Sequence, residues 1–220
     1  MINKKKIKEG VYLVVDPQMQ KTVLMNRLKQ IMDKSEIAAV QIWDNFKNAD
    51  NKISLINEIC KVCENYKVPV LLNNNWDILK QTEANGVHFD EIPQDFQKIK
   101  KKISSNALLG LTCTNNLETV GWADKNNLNY ISFCSIFPSS TANSCDLVDF
   151  EIIKKAREIT AMPIFLAGGI KPSNMHLLKE LDFEGVAVIS GIMSAGDPAV
   201  STENYNSEFK KIKNENFNNR

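Results

Sequence analysis

No stretch of this chain approaches the ~18 consecutive apolar residues of a membrane span, and the basic start MINKKKIKEG has no apolar core of a secretory signal, so a cytoplasmic protein is expected. Charge of one sign is equally lacking: 27 Lys+Arg stand against 26 Asp+Glu, a formal net charge of +1, which gives no general field for nucleic acid or an anionic membrane. No heptad repeat and no basic stripe appears, and composition is silent on oligomeric state. No linker or sustained repeat divides the 220 residues, so a single domain is expected, its core at about 11–200 with polar tails at both ends. The five cysteines are an odd number, which argues for reduced thiols. Cys60 and Cys63 form a C-x-x-C without a second pair or a preceding strand; inside the helical pattern ISLINEICKVCENY they read as packing residues. Histidine is scarce, with only His88 and His176 available for acid/base work near neutrality.

What is present is an alternation of short apolar runs with amphipathic segments. VYLVV, IAAVQIW, VPVLLN, GVHF, ALLGLT, NYISFC, MPIFLA and GVAVIS read as strands; VLMNRLKQIMDK, SLINEICKVCENY, IPQDFQKIKKKI, LETVGWADKN, DFEIIKKAREI and NMHLLKELD read as helices between them. Strands buried on both faces read as continuous apolar runs, and eight strand–helix units describe an α/β fold of one kind, the (β/α)8 TIM barrel. The tail NYNSEFKKIKNENFNNR reads as a last helix fraying into a polar terminus.

Two strand ends carry the clearest chemical signal. The run 162–167 stops at Gly168 and Gly169, where missing Cβ atoms let an oxyanion approach peptide N–H groups. The run 185–189 stops at Ser190, just before a short helical stretch, and amides at a helix start carry partial positive charge without intrahelical partners. In a parallel barrel the last two strand ends are a frequent phosphate site, so Gly168, Gly169, Ile189 and Ser190 are expected to hold a small phosphorylated ligand. The hydroxyl-rich loop 138–147 after strand six reads as an anion loop, a lid or a plain turn, and NNNWD at 73–77 as ligand-binding asparagines or a helix cap.

Taken together, Gln41-Ile42-Trp43-Asp44-Asn45, Leu72-Asn73-Asn74, Gly86-Val87-His88-Phe89-Asp90-Glu91, Gly110-Leu111-Thr112, Cys134-Ser135-Ile136-Phe137-Pro138-Ser139-Ser140-Thr141-Ala142, Leu166-Ala167-Gly168-Gly169-Ile170 and Ile189-Ser190-Gly191-Ile192 keep a characteristic order and spacing. They resemble the strand ends of the thiamine phosphate synthase and thiazole tautomerase family, over about residues 11–200, as a divergent member. The resemblance implies a transferase of thiamine biosynthesis that couples a thiazole phosphate to hydroxymethylpyrimidine diphosphate with Mg2+. It implies contacts to the pyrimidine or diphosphate side from Gln41, Asn73, Thr112, Ser139, Ser140 and Thr141. The family's charged members are replaced: its strand-two Arg is Trp43, the following Lys is Asn45, the Lys after strand six is Ala142 and the first metal Asp is Asn74. Asp90 and Glu91 are both candidates for the second metal carboxylate, so the implied metal site is weakened. Asn73, Thr112 and His88 are the catalytic candidates. A tautomerase-like isomerase would need a histidine just after strand five, where Thr114 and Asn115 stand, or a substitute base among His88, Asp90 and Cys113. The alternatives are therefore an impaired synthase, a non-catalytic binder of a phosphorylated ligand, and an isomerase.

Overall fold

The computed structural model describes residues 7–47, 51–138 and 146–218. Eight strands, β1 (Gly10–Val15), β2 (Ala39–Ile42), β3 (Val70–Asn73), β4 (Gly86–Phe89), β5 (Leu108–Cys113), β6 (Tyr130–Cys134), β7 (Ile164–Ala167) and β8 (Gly185–Val188), close in chain order into one parallel barrel. Helices α1 (Lys21–Lys34), α2 (Lys52–Glu64), α3 (Phe96–Lys102), α4 (Leu117–Lys125), α5 (Phe150–Ile159), α6 (Ser190–Met193) and α7 (Pro198–Asn218) accompany them, with 3₁₀ turns at Trp76–Gln81 and Pro172–Leu178. The expected (β/α)8 barrel is thus the observed one. The segment NMHLLKELD differs from expectation: the 3₁₀ form prevails there, with Pro172 in its first turn and Met175 and Leu178 buried at the i,i+3 spacing that this tighter helix aligns.

Each strand sorts its side chains by a period of two that the apolar runs conceal. Val11, Leu13 and Val15 of β1, with Val40, Ile42, Val70, Leu72, Val87, Leu109 and Leu111, join the large cluster between sheet and helices. Tyr12, Val14, Ala39, Leu71, Leu108, Tyr130 and Phe165 form a second cluster that fills the barrel interior. Toward the carboxyl ends of the strands the inward positions turn polar, with Gln41, Asn73, His88 and Ser132 all buried. Gly110 belongs to the same geometry: a Cβ there would lie 2.0 Å from the Tyr130 ring, so only glycine lets that ring cross the interior.

The helices bury stripes of the expected spacing, Leu24, Leu28, Ile31 and Met32 on α1 and Ile56, Ile59, Cys60 and Cys63 on α2. The C-x-x-C thiols are core groups, and burial pushes both up to about 12. From the segment read as a polar tail, Tyr205, Phe209 and Ile212 of α7 are buried at i, i+4 and i+7. Among the described residues no helix is long and apolar enough to cross a membrane.

Candidate functional site

A cavity of about 620 Å³ opens at the carboxyl ends of the strands. Gln41, Trp43, Asn73, His88, Asp90, Thr112, Gly168, Gly169, Ile189 and Ser190 all line it, so ten residues singled out along the sequence converge on one space. Tyr12, Tyr130, Ser132, Cys134 and Lys171 line it too and were not anticipated.

The β7 and β8 ends meet because these strands pair in register, Ala167 beside Ala187. Gly168 and Gly169 have φ of 91° and 64°, a left-handed pair that side chains resist. Packing demands glycine as well, since a Cβ at Gly168 would sit 2.2 Å from Ser135 Oγ and one at Gly169 2.5 Å from the Phe137 carbonyl. On the facing turn, the amides of Ile192 and Met193 return to the Ile189 carbonyl. Those of Gly168, Gly169, Ser190 and Gly191 have no acceptor among the described residues. Lys171 is the only Lys or Arg among the described residues that line the cavity.

The opposite half, at the ends of β2 to β4, has a different electrostatic character. Trp43 is half-buried and packs on the interior cluster. Asn73 donates to Asp90 Oδ1 at 2.8 Å and Asn74 donates to Asp90 Oδ2 at 2.7 Å, while Asn74 Oδ1 accepts from the Asp90 amide at 3.0 Å. Both carboxylate oxygens are thereby engaged by neutral amides. Asp90 is the only carboxylate among the described residues that line the cavity, so this set offers Mg2+ a single anionic side chain and fits a hard dication poorly. Glu91 is exposed and stands outside the cavity, and among the described residues no three His, Cys, Asp or Glu side chains are grouped to hold a metal ion. Asn45 turns away to Asp16 at 3.2 Å and to Gln18 at 2.6 Å. Lys52, a cation beside Asp44 and Asn75 at this end of the barrel, does not line the cavity and is occupied by Asp44 at 3.6 Å, by Asn75 and by the Phe46 ring. Ser139, Ser140 and Thr141 lie outside the described residues; the stretch SSTANSC at 139–145 contains no basic side chain.

Between the two halves, polar side chains are linked across the barrel. Tyr12 donates to Gln41 Oε1, Tyr12 and Tyr130 share a hydroxyl contact, and His88 meets Tyr130 through Nδ1 and Thr112 through Nε2, each at 2.8 Å. Burial lowers the His88 imidazole to a pKa of about 4, outweighing the opposite pull of Asp90, and raises the hydroxyls of Tyr12 and Tyr130 well above their ordinary value. At neutral pH His88 is uncharged with both ring nitrogens occupied, a poor state for a general base. Cys113 is buried on the outer face of β5, its thiol pushed up to about 12. Asn115 ties down the loop before α5 through Leu147 and Asp149, and His176 is exposed on the 3₁₀ turn.

Comparison with known proteins places this geometry in context. A family model described as thiamine monophosphate synthase matches residues 11–192. The chain is 29% identical over 207 residues to a thiamine-phosphate synthase of Clostridioides difficile (strain 630), covering 93% of this chain and 98% of that protein. It is 27% identical over 189 residues to a thiamine-phosphate synthase of Halorhodospira halophila (strain DSM 244 / SL1), covering 86% and 88%. Among solved structures, thiamine phosphate pyrophosphorylase from Pyrococcus furiosus shares the fold with a TM-score of 0.78 at 21% identity, covering 94% of this chain and 96% of that one.

Proposed function

Because the chain belongs to the thiamine monophosphate synthase family, we propose that it binds a phosphomonoester of the thiazole phosphate type at the β7 and β8 ends and has lost most of the capacity to expel diphosphate from a pyrimidine partner. The first half of this reading rests on the unpaired amides of two converging turns, which neutralise a dianion through backbone dipoles and need no particular side chain. Lys171 adds a cation on that side.

The second half rests on charge. Breaking the bond between a pyrimidine methylene and diphosphate leaves several negative charges on the departing oxygens, and these must be stabilised as they form. Trp43, Asn73 and Asp90 line the chamber where this would occur, and Asp90, the only carboxylate among the described residues there, repels the leaving group. Removing one preorganised donor commonly slows such chemistry by about 10²- to 10³-fold, and the family's Arg, Lys and loop Lys positions are here Trp43, Asn45 and Ala142. The reading that best joins both halves is a family member that retains the monophosphate site and transfers slowly or not at all. An isomerase is less well supported, because His88 is neutral and fully hydrogen-bonded.

The observation that carries the proposal is the division of one cavity into an end with unpaired backbone amides and an end that no Lys or Arg among the described residues lines. Calorimetry with 4-methyl-5-(2-phosphooxyethyl)thiazole and with the unphosphorylated alcohol tests the first half; phosphate-dependent binding is expected, and no binding at millimolar concentration rejects it. A sensitive assay for thiamine phosphate with both substrates and Mg2+ tests the second. Turnover is expected far below the ~1–10³ s⁻¹ of ordinary enzymes, and a rate within that range rejects the proposed loss.

A further inference from the structure

Five side chains from five strands form an unbroken row across the cavity floor: Gln41 on β2, Tyr12 on β1, Tyr130 on β6, His88 on β4 and Thr112 on β5, with four contacts of 2.8 Å. The row has one direction, which follows from counting protons. A tyrosine hydroxyl carries a single hydrogen, and that of Tyr12 goes to Gln41 Oε1. Tyr130 must therefore donate to Tyr12. With its own hydrogen used, Tyr130 accepts from His88, which fixes the imidazole proton on Nδ1. An imidazole at pH 7, above its ordinary pKa near 6.5, carries one ring proton, so with that proton on Nδ1 its Nε2 offers a lone pair and Thr112 donates to it.

We infer that Tyr12 and Tyr130 are positioning residues that fix the hydrogen-bonding sense of the ligand chamber: through them Gln41 presents amide N–H to the cavity, and Thr112 presents only oxygen lone pairs. Gln41 and Thr112 both line the cavity, and the Gln41 Nε2 has no acceptor among the described residues. The matching ligand is a flat heterocycle with a ring nitrogen acceptor toward Gln41 and an exocyclic amino donor toward Thr112. An oxo group in place of that amine would set oxygen against oxygen at Thr112. Neither tyrosine need touch the ligand, and the Gly110 gap that admits the Tyr130 ring is part of the same arrangement. The ligand half of this inference rests on the proposed reading of a family member whose chamber still admits a pyrimidine although it expels diphosphate slowly or not at all; the direction of the row does not.

Two measurements separate these parts. Nitrogen-15 NMR of the histidines in the full-length protein at pH 7 is expected to show His88 as the Nδ1–H tautomer, and Tyr130→Phe, with the fold verified by circular dichroism, is expected to give a tautomer mixture. Calorimetry with 4-amino-5-hydroxymethyl-2-methylpyrimidine and its 4-oxo analogue is expected to favour the amine by about 100-fold in the unmodified protein, because a mismatched polar pair loses its bond and its hydration together. That preference should fall to within a few-fold in Tyr130→Phe and in Tyr12→Phe. Gln41→Glu should keep the Nδ1–H tautomer, since a carboxylate still accepts from Tyr12, but weaken the amine by removing the outward donor. An Nε2–H tautomer in the unmodified protein, or an undiminished amine preference in both tyrosine variants, overturns the inference. If neither pyrimidine binds while the tautomer responds to Tyr130→Phe, the ligand assignment is wrong and the tyrosines' ordering role stands.

Discussion

The two ends of the cavity are made from different parts of the chain, and they respond to sequence change in opposite ways. At the β7 and β8 ends the proposed anion site consists of peptide amides, whose direction is set by the left-handed glycines and by the start of α6. Substituting neighbouring side chains leaves such a site intact. At the β2 to β4 ends Trp43, Asn73 and Asp90 line the cavity, where the family resemblance implies side chains for cationic and metal-binding chemistry. A function held by backbone persists while a function held by side chains can be removed one residue at a time.

The backbone-built end should be broken most severely by Gly168→Ala. Its Cβ would meet Ser135 Oγ at 2.2 Å and would have to adopt a φ of 91°, so thermal unfolding should report a loss of about 3 kcal/mol, and calorimetry a loss of thiazole phosphate binding by about 100-fold. The side-chain end has its own weakness in acid. The folded His88 pKa of about 4 lies below the ordinary value near 6.5, so the unfolded chain takes up this proton first. The stability associated with neutral His88 is fully present above pH ~6.5 and is lost as pH falls toward about 4, by roughly 3 kcal/mol in all. Urea unfolding of the unmodified protein and of His88→Gln across that range should diverge by this amount; parallel curves would show that the imidazole is not held neutral.

Gly110→Ala attacks the same end mechanically. With a Cβ 2.0 Å from the Tyr130 ring, the substitution should cost about 1–3 kcal/mol of stability by denaturant unfolding and disturb the hydroxyl row while leaving phosphate binding within a few-fold. The contrast sharpens if charge is returned to the depleted end. Trp43→Arg combined with Asn45→Lys should raise affinity for inorganic pyrophosphate about tenfold by calorimetry, about 1.4 kcal/mol, without altering affinity for the thiazole phosphate. The smallest effect is expected from Lys171→Gln. Because that lysine is exposed and the anion is met chiefly by amides, binding should weaken by no more than about fivefold.

Much of this organisation is legible in the sequence because the barrel's strands are short apolar runs with punctuation at their carboxyl ends. Gly168-Gly169 and Ser190-Gly191 mark their turns by residue type alone. Tyr12 and Tyr130 escape such a reading: within VYLVV and NYISFC they look like ordinary strand formers, and only the inside-outside alternation of β1 and β6 places both hydroxyls in the interior. His88 is visible as a residue but not as a state, since its neutrality follows from burial and its tautomer from two partners 24 and 42 positions away. The amide clasp around Asp90 is hidden for a related reason: Asn73 and Asn74 look like loop residues until β3 and β4 pair Asn73 with His88. The 3₁₀ turn at Pro172–Leu178 fits an amphipathic pattern too short to distinguish three residues per turn from 3.6.

Tyr205 stands behind both turns at the β7 and β8 ends. Its hydroxyl donates to the Ile170 carbonyl at 2.9 Å, and it occupies the space a Gly191 Cβ would enter, at 2.3 Å. The rear wall of this end of the cavity is therefore supplied by α7. The two turns share this one support, so a change that undocks α7 should loosen both together.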